Sequence, residues 1–211
     1  MSHETHARRA EWIDRVTTFI LVNMLWAVFA ALLITLPAAT AGLFATLTPW
    51  VHGEPSELFK DFFGGMREHW RKSTMIGVID AGVAGLVAVN LAILDGMNVD
   101  TPLGLLSRNV TFFVAALTLL TNLYLWPLLV TVDLPLRKLI SIAMKLVFLH
   151  PVWSLLAGAL TLIPLLLTLV LPRFVAVLLA FSSCALLASW GAWHVIEQHE
   201  QDLFDVHQAP K

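Results

Sequence analysis

Apolar residues run through this chain in five stretches, each long enough to cross a bilayer, and two shorter segments between them mix apolar and charged residues at helical spacing. A hydrocarbon core roughly 30 Å thick takes about 20 residues of helix. Residues 16–36, 73–94, 110–132, 152–171 and 174–196 each supply that length. The expected fold is all-α: a polytopic transmembrane helical bundle forming a single membrane domain over 1–211. Residues 1–15 and 197–211 are its polar tails.

The region after the first span departs from this pattern. Pro37 follows Leu36, and residues 37–51 stay apolar. Proline fits the first turn of a new helix and not the middle of one. The chain is therefore expected to break before Pro37 and to start a short sixth segment, making 16–51 a broken hairpin. Fifteen residues of helix reach roughly 22 Å, so 37–51 is read as short-spanning or re-entrant. Charge separates the topologies. If 37–51 returns the chain to its starting side, Arg8, Arg9, Arg15, Lys60, Arg67, Arg71, Lys72, Arg137, Lys138, Lys145 and Lys211 share one face. Only Arg108 and Arg173 then lie opposite. This predicts a multi-pass protein of the cell (inner) membrane with both termini cytoplasmic. The apolar run from Val16 is too long for a signal-peptide core, so the first span is expected to be retained.

The segment 55–72 places Leu58, Phe59, Phe62, Phe63, Met66 and Trp70 on one helical face and Lys60, Asp61, Arg67, Glu68, Arg71 and Lys72 on the other. That pattern predicts a helix lying in the membrane interface, bent at Gly64-Gly65. Phe59, Phe62, Phe63, Arg67 and Trp70 are its candidate interface or partner-docking residues. The segment 134–149 carries Arg137, Lys138, Ser141 and Lys145 as one polar stripe, with Asp133 as the expected N-cap. The order span, interface helix, span occurs twice, which hints at an internal duplication of the kind found in transporters.

Composition changes this picture little. Charged residues make up 13% of the chain and the formal net charge is −2, which gives no footing for a nucleic-acid partner. One cysteine, Cys184, excludes an intrachain disulfide. Small residues at four-residue spacing let helices approach closely in lipid. Ala176, Ala180, Cys184, Ala188 and Ala192 form one such stripe, and Gly77, Ala81 and Gly85 another. Asp80 lies beside the second stripe, well inside a span. Such an acid faces the bundle interior or a wet cavity. It suits a cation, proton or polar-substrate site, or a structural hydrogen bond to the face of Thr111, Thr118 and Asn122.

Other chemistry is sparse. His194, Glu197, His199 and Glu200 lack the spacing of a zinc site. His3 and His6 are placed in a disordered N-terminus, and Asp95, Asn98 and Asp100 do not complete a calcium loop. No nucleotide-binding or hydrolase motif is present, and no cofactor or metal is expected.

Several pieces in order carry a resemblance. They are Leu36-Pro37-Ala-Ala-Thr-Ala-Gly-Leu-Phe44, then Phe59-Lys-Asp-Phe-Phe-Gly-Gly-Met-Arg-Glu-His-Trp70, then Tyr124-Leu-Trp-Pro-Leu-Leu129 and His150-Pro151. From Arg15 to Glu197 this order resembles the YesL-like family of small bacterial membrane proteins, a family of unknown function. The resemblance implies a gene encoded beside those of carbohydrate-uptake transporters, and so an accessory role in sugar import or its sensing. It implies no catalytic residue. Three functions follow in order of preference. The first is a non-catalytic accessory subunit contacting sugar-transporter subunits. The second is a small-solute transporter or channel using Asp80, with helix breaks at Pro37, Pro127 and Pro164, as a homo-oligomer. A membrane enzyme comes last.

Overall fold

The structure, a computed structural model, describes the backbone of residues 2–51, 53–96, 101–167 and 173–204. Side chains are described within 15–51, 53–96, 101–164, 166 and 181–196. Seven helices and no strand are present among these residues: α1 (Ser2–Ala30), α2 (Leu36–Val51), α3 (Leu58–Asp95), α4 (Pro102–Thr131), α5 (Leu136–Leu149), α6 (Pro151–Leu167) and α7 (Arg173–Phe204).

Helices α3 and α4 are long and apolar enough to cross a membrane, and α5 with α6 add a third crossing if that pair, bent by 105°, is one broken span. Such apolar helices mark a membrane protein. Five clear spans are not recovered. The apolar described parts of α1 and α7, Arg15–Ala30 and Phe181–Ile196, fall short of a crossing, and the described part of α6 has 17 residues. The N-terminal segment that holds His3 and His6 is helical backbone and part of α1.

The largest departure from expectation is α3. The expected interface helix and the span after it are one unbroken helix of 38 residues, about 57 Å of helix. It starts where the Asp61 carboxylate, in the first turn, accepts the N–H of the N-cap residue Glu57 at 2.7 Å. It ends at Gly96, whose N–H bonds back to the Ile93 and Leu94 carbonyls. The hydrocarbon accommodates only about half that length. Lys60, Asp61, Arg67, Glu68, Arg71 and Lys72 all lie in the half before Ser73, so that half is the one excluded from the hydrocarbon.

Gly64-Gly65 does not break the helix. Gly65 is a point of close approach, where a Cβ would lie 2.4 Å from the Ala45 Cβ. Gly42 on α2 meets α3 in the same way, since a Cβ there would lie 2.6 Å from the Phe62 carbonyl oxygen. Gly77 sits under the Pro37 ring, 2.4 Å from where its own Cβ would be. Through these three glycines α2 lies antiparallel on α3. The Pro37 contact on Gly77 leaves about 27 Å of α3 between α2 and the Asp95 end. Helix α2 therefore runs beside the charged half of α3 and does not accompany its apolar half across.

Helix α2 is the hub of the core. Ala38, Ala39, Ala41, Leu43, Phe44 and Leu47 are buried, with α1, α3, α4 and α7 around them. Phe44 stacks on Trp126 of α4, ring centroids 6.1 Å apart. Polar links fasten the neighbours. Trp26 donates to Thr40 at 3.2 Å, Thr48 and Ser189 share a hydrogen bond at 3.1 Å, and the Ser182 N–H donates to Asn23 at 3.2 Å. The Ser154 hydroxyl gives its proton to the His150 carbonyl, so Tyr124 is the donor in the 2.8 Å bond between them. Interhelical bonds of this kind contribute on average about 0.6 kcal/mol each in lipid.

Of the expected proline breaks, only Pro37 marks a helix start. Pro127 and Pro164 lie inside α4 and α6. Helix α4 begins as its sequence dictates: Thr101 accepts the Gly104 N–H at 3.2 Å, and Pro102 occupies the first turn.

Two adjacent glycines test the α2–α3 contact. A Cβ at Gly64 meets nothing within 4 Å, so Gly64→Ala is expected to stabilise the detergent-solubilised protein, by up to about 1 kcal/mol from helix propensity. Gly65→Ala is expected to lower its melting temperature. Equal stabilisation by both substitutions would refute the close approach.

Candidate functional site

Polar side chains line the seam between α3 and α4. Near its far end, Asn90 donates to Ser107 at 3.3 Å and to Thr111. Three turns lower, Asn122 donates to the Asp80 carboxylate at 2.9 Å. Of the face expected to partner Asp80, Asn122 does so, while the Thr118 hydroxyl donates to the Val114 carbonyl and Thr111 serves Asn90. Asp80, Thr118 and Asn122 line a cavity of about 180 Å³ whose other walls include Ile76, Ile140 and Met144. The Asn122 carbonyl oxygen is buried and has no hydrogen-bond partner among the described residues. A buried acceptor without a donor is costly, and Asp80, beside it, brings a carboxyl to the cavity wall.

A second, larger concavity lies at the charged end of α3. It is an open groove of about 630 Å³ between the end of α2, the first turns of α3, the end of α4 and α7. Glu54, Asp61, Glu68, His69, Thr131 and Trp193 are among its lining residues. Lys60 lines it too, in an exposed ion pair with Glu57 at 3.5 Å. Three carboxylates beside an indole suit a cationic group. Helical periodicity does not reveal this groove, because its residues come from four separated elements.

The residues read as a docking face divide. Phe62 is fully buried against Gly42 and belongs to the core. Phe59, Phe63 and Trp70 are 62%, 42% and 52% exposed, and Arg67 is exposed between them. Arg71 lies over the Trp70 ring, 5.3 Å from its centroid. Phe59, Phe63, Arg67 and Trp70 follow the spacing of one helical stripe. They share one outer face of α3.

The expected packing stripes also divide. Gly77 packs on Pro37, whereas Ala81 and Gly85 are exposed, and a Cβ at Gly85 meets nothing within 4 Å. On α7, Ala188 and Ala192 are buried, and the Cys184 thiol donates to the Thr161 carbonyl at 3.1 Å. Ala176 and Ala180 lie outside the described side chains. So do Glu197, His199 and Glu200, while Asn98 and Asp100 lie outside the described residues altogether. His194 packs at a tilt against Trp153 with ring centroids 4.7 Å apart.

Asp133 does not cap α5, whose N-cap is Pro135 with no side-chain cap. Its carboxylate takes a hydrogen bond from Lys72 at 2.8 Å and ties the α4–α5 junction to α3. The Lys72 ammonium holds the Asp133 carboxyl below the usual carboxylate value of 3.8. The pair's contribution is therefore complete above that value and is lost as pH falls through the lower, folded-state value. Asp133 is exposed, so the effect is small. The difference in melting temperature between wild type and Asp133→Asn is expected to shrink as pH is lowered below 3.8. A difference that stays constant with pH would contradict the assignment.

Asn122 tests the seam. Asp80→Asn keeps an acceptor for the Asn122 amide and is expected to leave stability within about 0.5 kcal/mol of wild type. Asn122→Leu strands the Asp80 carboxyl and is expected to cost about 1–3 kcal/mol in a detergent melt. Similar losses in both variants would contradict this reading.

Residues 19–91, from within α1 through most of α3, match the family model described as "Protein of unknown function, DUF624". The chain is also 26% identical over 152 residues to the "Uncharacterized protein YesL" of Bacillus subtilis (strain 168), covering 70% of this chain and 69% of that relative. No solved structure matches it. The two matches agree with the resemblance read from the sequence: this helical protein is similar to the YesL-like family, whose function is unknown.

Proposed function

We propose that the chain is a non-catalytic, multi-pass protein of the inner membrane, with both termini cytoplasmic, that serves as an accessory of carbohydrate uptake by docking sugar-transporter subunits. One observation carries the docking reading. Helix α3 runs unbroken from an apolar, lipid-length half into a charged half, and that charged half presents Phe59, Phe63, Arg67 and Trp70 outward. A rigid helix presents such a stripe at a fixed height and angle. The stripe has the aromatic and arginine composition that concentrates binding energy at interfaces. The acidic groove with Trp193 lies at the same end of the helix and offers a cationic segment of the partner a place to seat. The carbohydrate assignment rests on the family resemblance alone. The cytoplasmic assignment of this end rests on the distribution of lysine and arginine.

A second reading, a small-solute transporter or channel, draws on a separate observation. Asp80 and Asn122, joined by a hydrogen bond, line one cavity. In that case Asp80→Ala is expected to abolish solute flux in proteoliposomes while leaving the protein folded.

Crosslinking in cells, followed by purification in mild detergent and mass spectrometry, separates the two. Docking predicts recovery of sugar-transporter subunits, with at least about a tenfold loss on Phe59→Asp or Arg67→Glu, as for truncating a hot-spot residue. These variants should keep the wild-type melting temperature, whereas Phe62→Asp should unfold the protein. Recovery of the chain alone, or only with itself, would overturn the docking reading.

A further inference from the structure

Helix α5 carries a face that neither reading uses. Its inner side, Leu139, Ile142, Ala143, Leu146 and Val147, is buried in the bundle. Its outer side carries Arg137, Ser141 and Lys145 in an i, i+4, i+8 row, with Lys138 beside it, all exposed. The helix contains no acidic residue, and among the described residues Arg137 and Lys145 form no ion pair. Met144, Phe148 and Leu149 are exposed on the same outer side.

This mixture excludes most environments. Water leaves Met144, Phe148 and Leu149 exposed at a cost in hydrophobic free energy. Hydrocarbon leaves two uncompensated cations in a low dielectric. The boundary between acyl chains and headgroups satisfies both, because long cationic side chains reach up to the headgroups while apolar ones stay below. The position of α5 fits that level. It follows the exposed Asp133 and turns by 105° into the apolar helix α6, as a helix near the membrane plane joined to one that enters it. Arg137, Ser141, Met144, Lys145 and Phe148 also line one shallow groove on this face.

We propose that the outer face of α5 is a binding site for an anionic phospholipid. Arg137 and Lys145 pair with the headgroup phosphate, the Ser141 hydroxyl between them donates to it, and an acyl chain lies along Ile140, Met144 and Phe148. Ile140 and Met144 also wall the Asp80 cavity, so the bound chain rests against the side of that cavity. Charge complementarity selects this occupant: Arg137 and Lys145, on a short helix with no acid, select for negative charge, and the adjoining apolar side chains select for a ligand with a hydrocarbon tail.

The test uses the full chain purified in mild detergent, incubated with equal amounts of phosphatidylglycerol and phosphatidylcholine, and examined by native mass spectrometry. Wild type is expected to retain phosphatidylglycerol preferentially. Removing each cation should lower that preference about fivefold, so Arg137→Gln with Lys145→Gln should nearly abolish it. Raising salt should weaken it in wild type. Both side chains are exposed, so the double variant should keep the wild-type melting temperature. If it does not, the single variants provide the comparison. Equal retention of the two lipids by wild type, or an undiminished preference in folded variants, overturns the proposal.

Discussion

The fold depends on how closely the backbone of α2 approaches that of α3. Lipid offers little hydrophobic drive for one apolar helix to pack on another, so van der Waals contact and interhelical hydrogen bonds must hold the bundle. Gly42, Gly65 and Gly77 remove the side chains that would keep the two helices apart. The gain is a short, nearly fully buried helix around which α1, α4 and α7 can assemble. Its apolar side chains and its backbone are sheltered by protein, which is the condition for a helix too short to cross. Thr40, Thr46 and Thr48 fit the same logic, since Thr46 bonds back to the Gly42 carbonyl while Thr40 and Thr48 reach partners on α1 and α7.

That contact also assigns different tasks to the two halves of α3. The half before Ser73 is clamped by α2 and carries the charges, the aromatic stripe and one wall of the acidic groove. The other half leaves α2 behind and pairs with α4 along a seam of Asn90, Thr111, Asp80 and Asn122. Met75, Val78, Leu86 and Val89 point outward from it, as residues meeting lipid tails do. Because one helix spans both regions, the height of the aromatic stripe relative to the bilayer is set by the seam. Lys72, reaching Asp133, lies at the change from one region to the other.

Much of this was legible in the chain because it depends on local order. The apolar runs of α3 and α4, the amphipathic face of α5, the helix start at Pro37 and the partnership of Asp80 with Asn122 are matters of periodicity, of proline chemistry and of the few polar residues in apolar runs. What was not legible depended on a distant element. Arg67-Glu-His-Trp-Arg-Lys72 looks like a boundary between an interface helix and a span, yet none of these residues breaks a helix, and α2 supports the helix through them. Gly64-Gly65 looks like a bend until Ala45 is seen against Gly65. Asp133 looks like a cap until Lys72 is brought to it. The groove of Glu54, Glu68 and Trp193 exists only once α7 has docked near the end of α2. The family match ends at residue 91, so it bears on α1 to α3 and leaves α5 to α7 to the structure.

The central claim is that α3 is one helix whose charged half stands outside the hydrocarbon while its other half crosses it. Single cysteines in a Cys184→Ala background, probed in membranes with a charged, membrane-impermeant thiol reagent, test it directly. Lys60, Gly64 and Arg67 are exposed on the charged half, and Val78, Leu86 and Val89 on the other. Cysteines at the first three positions are expected to react from one side of the membrane, and those at the last three to react from neither. Protection at all six positions, or reaction at Leu86 and Val89, would contradict the account.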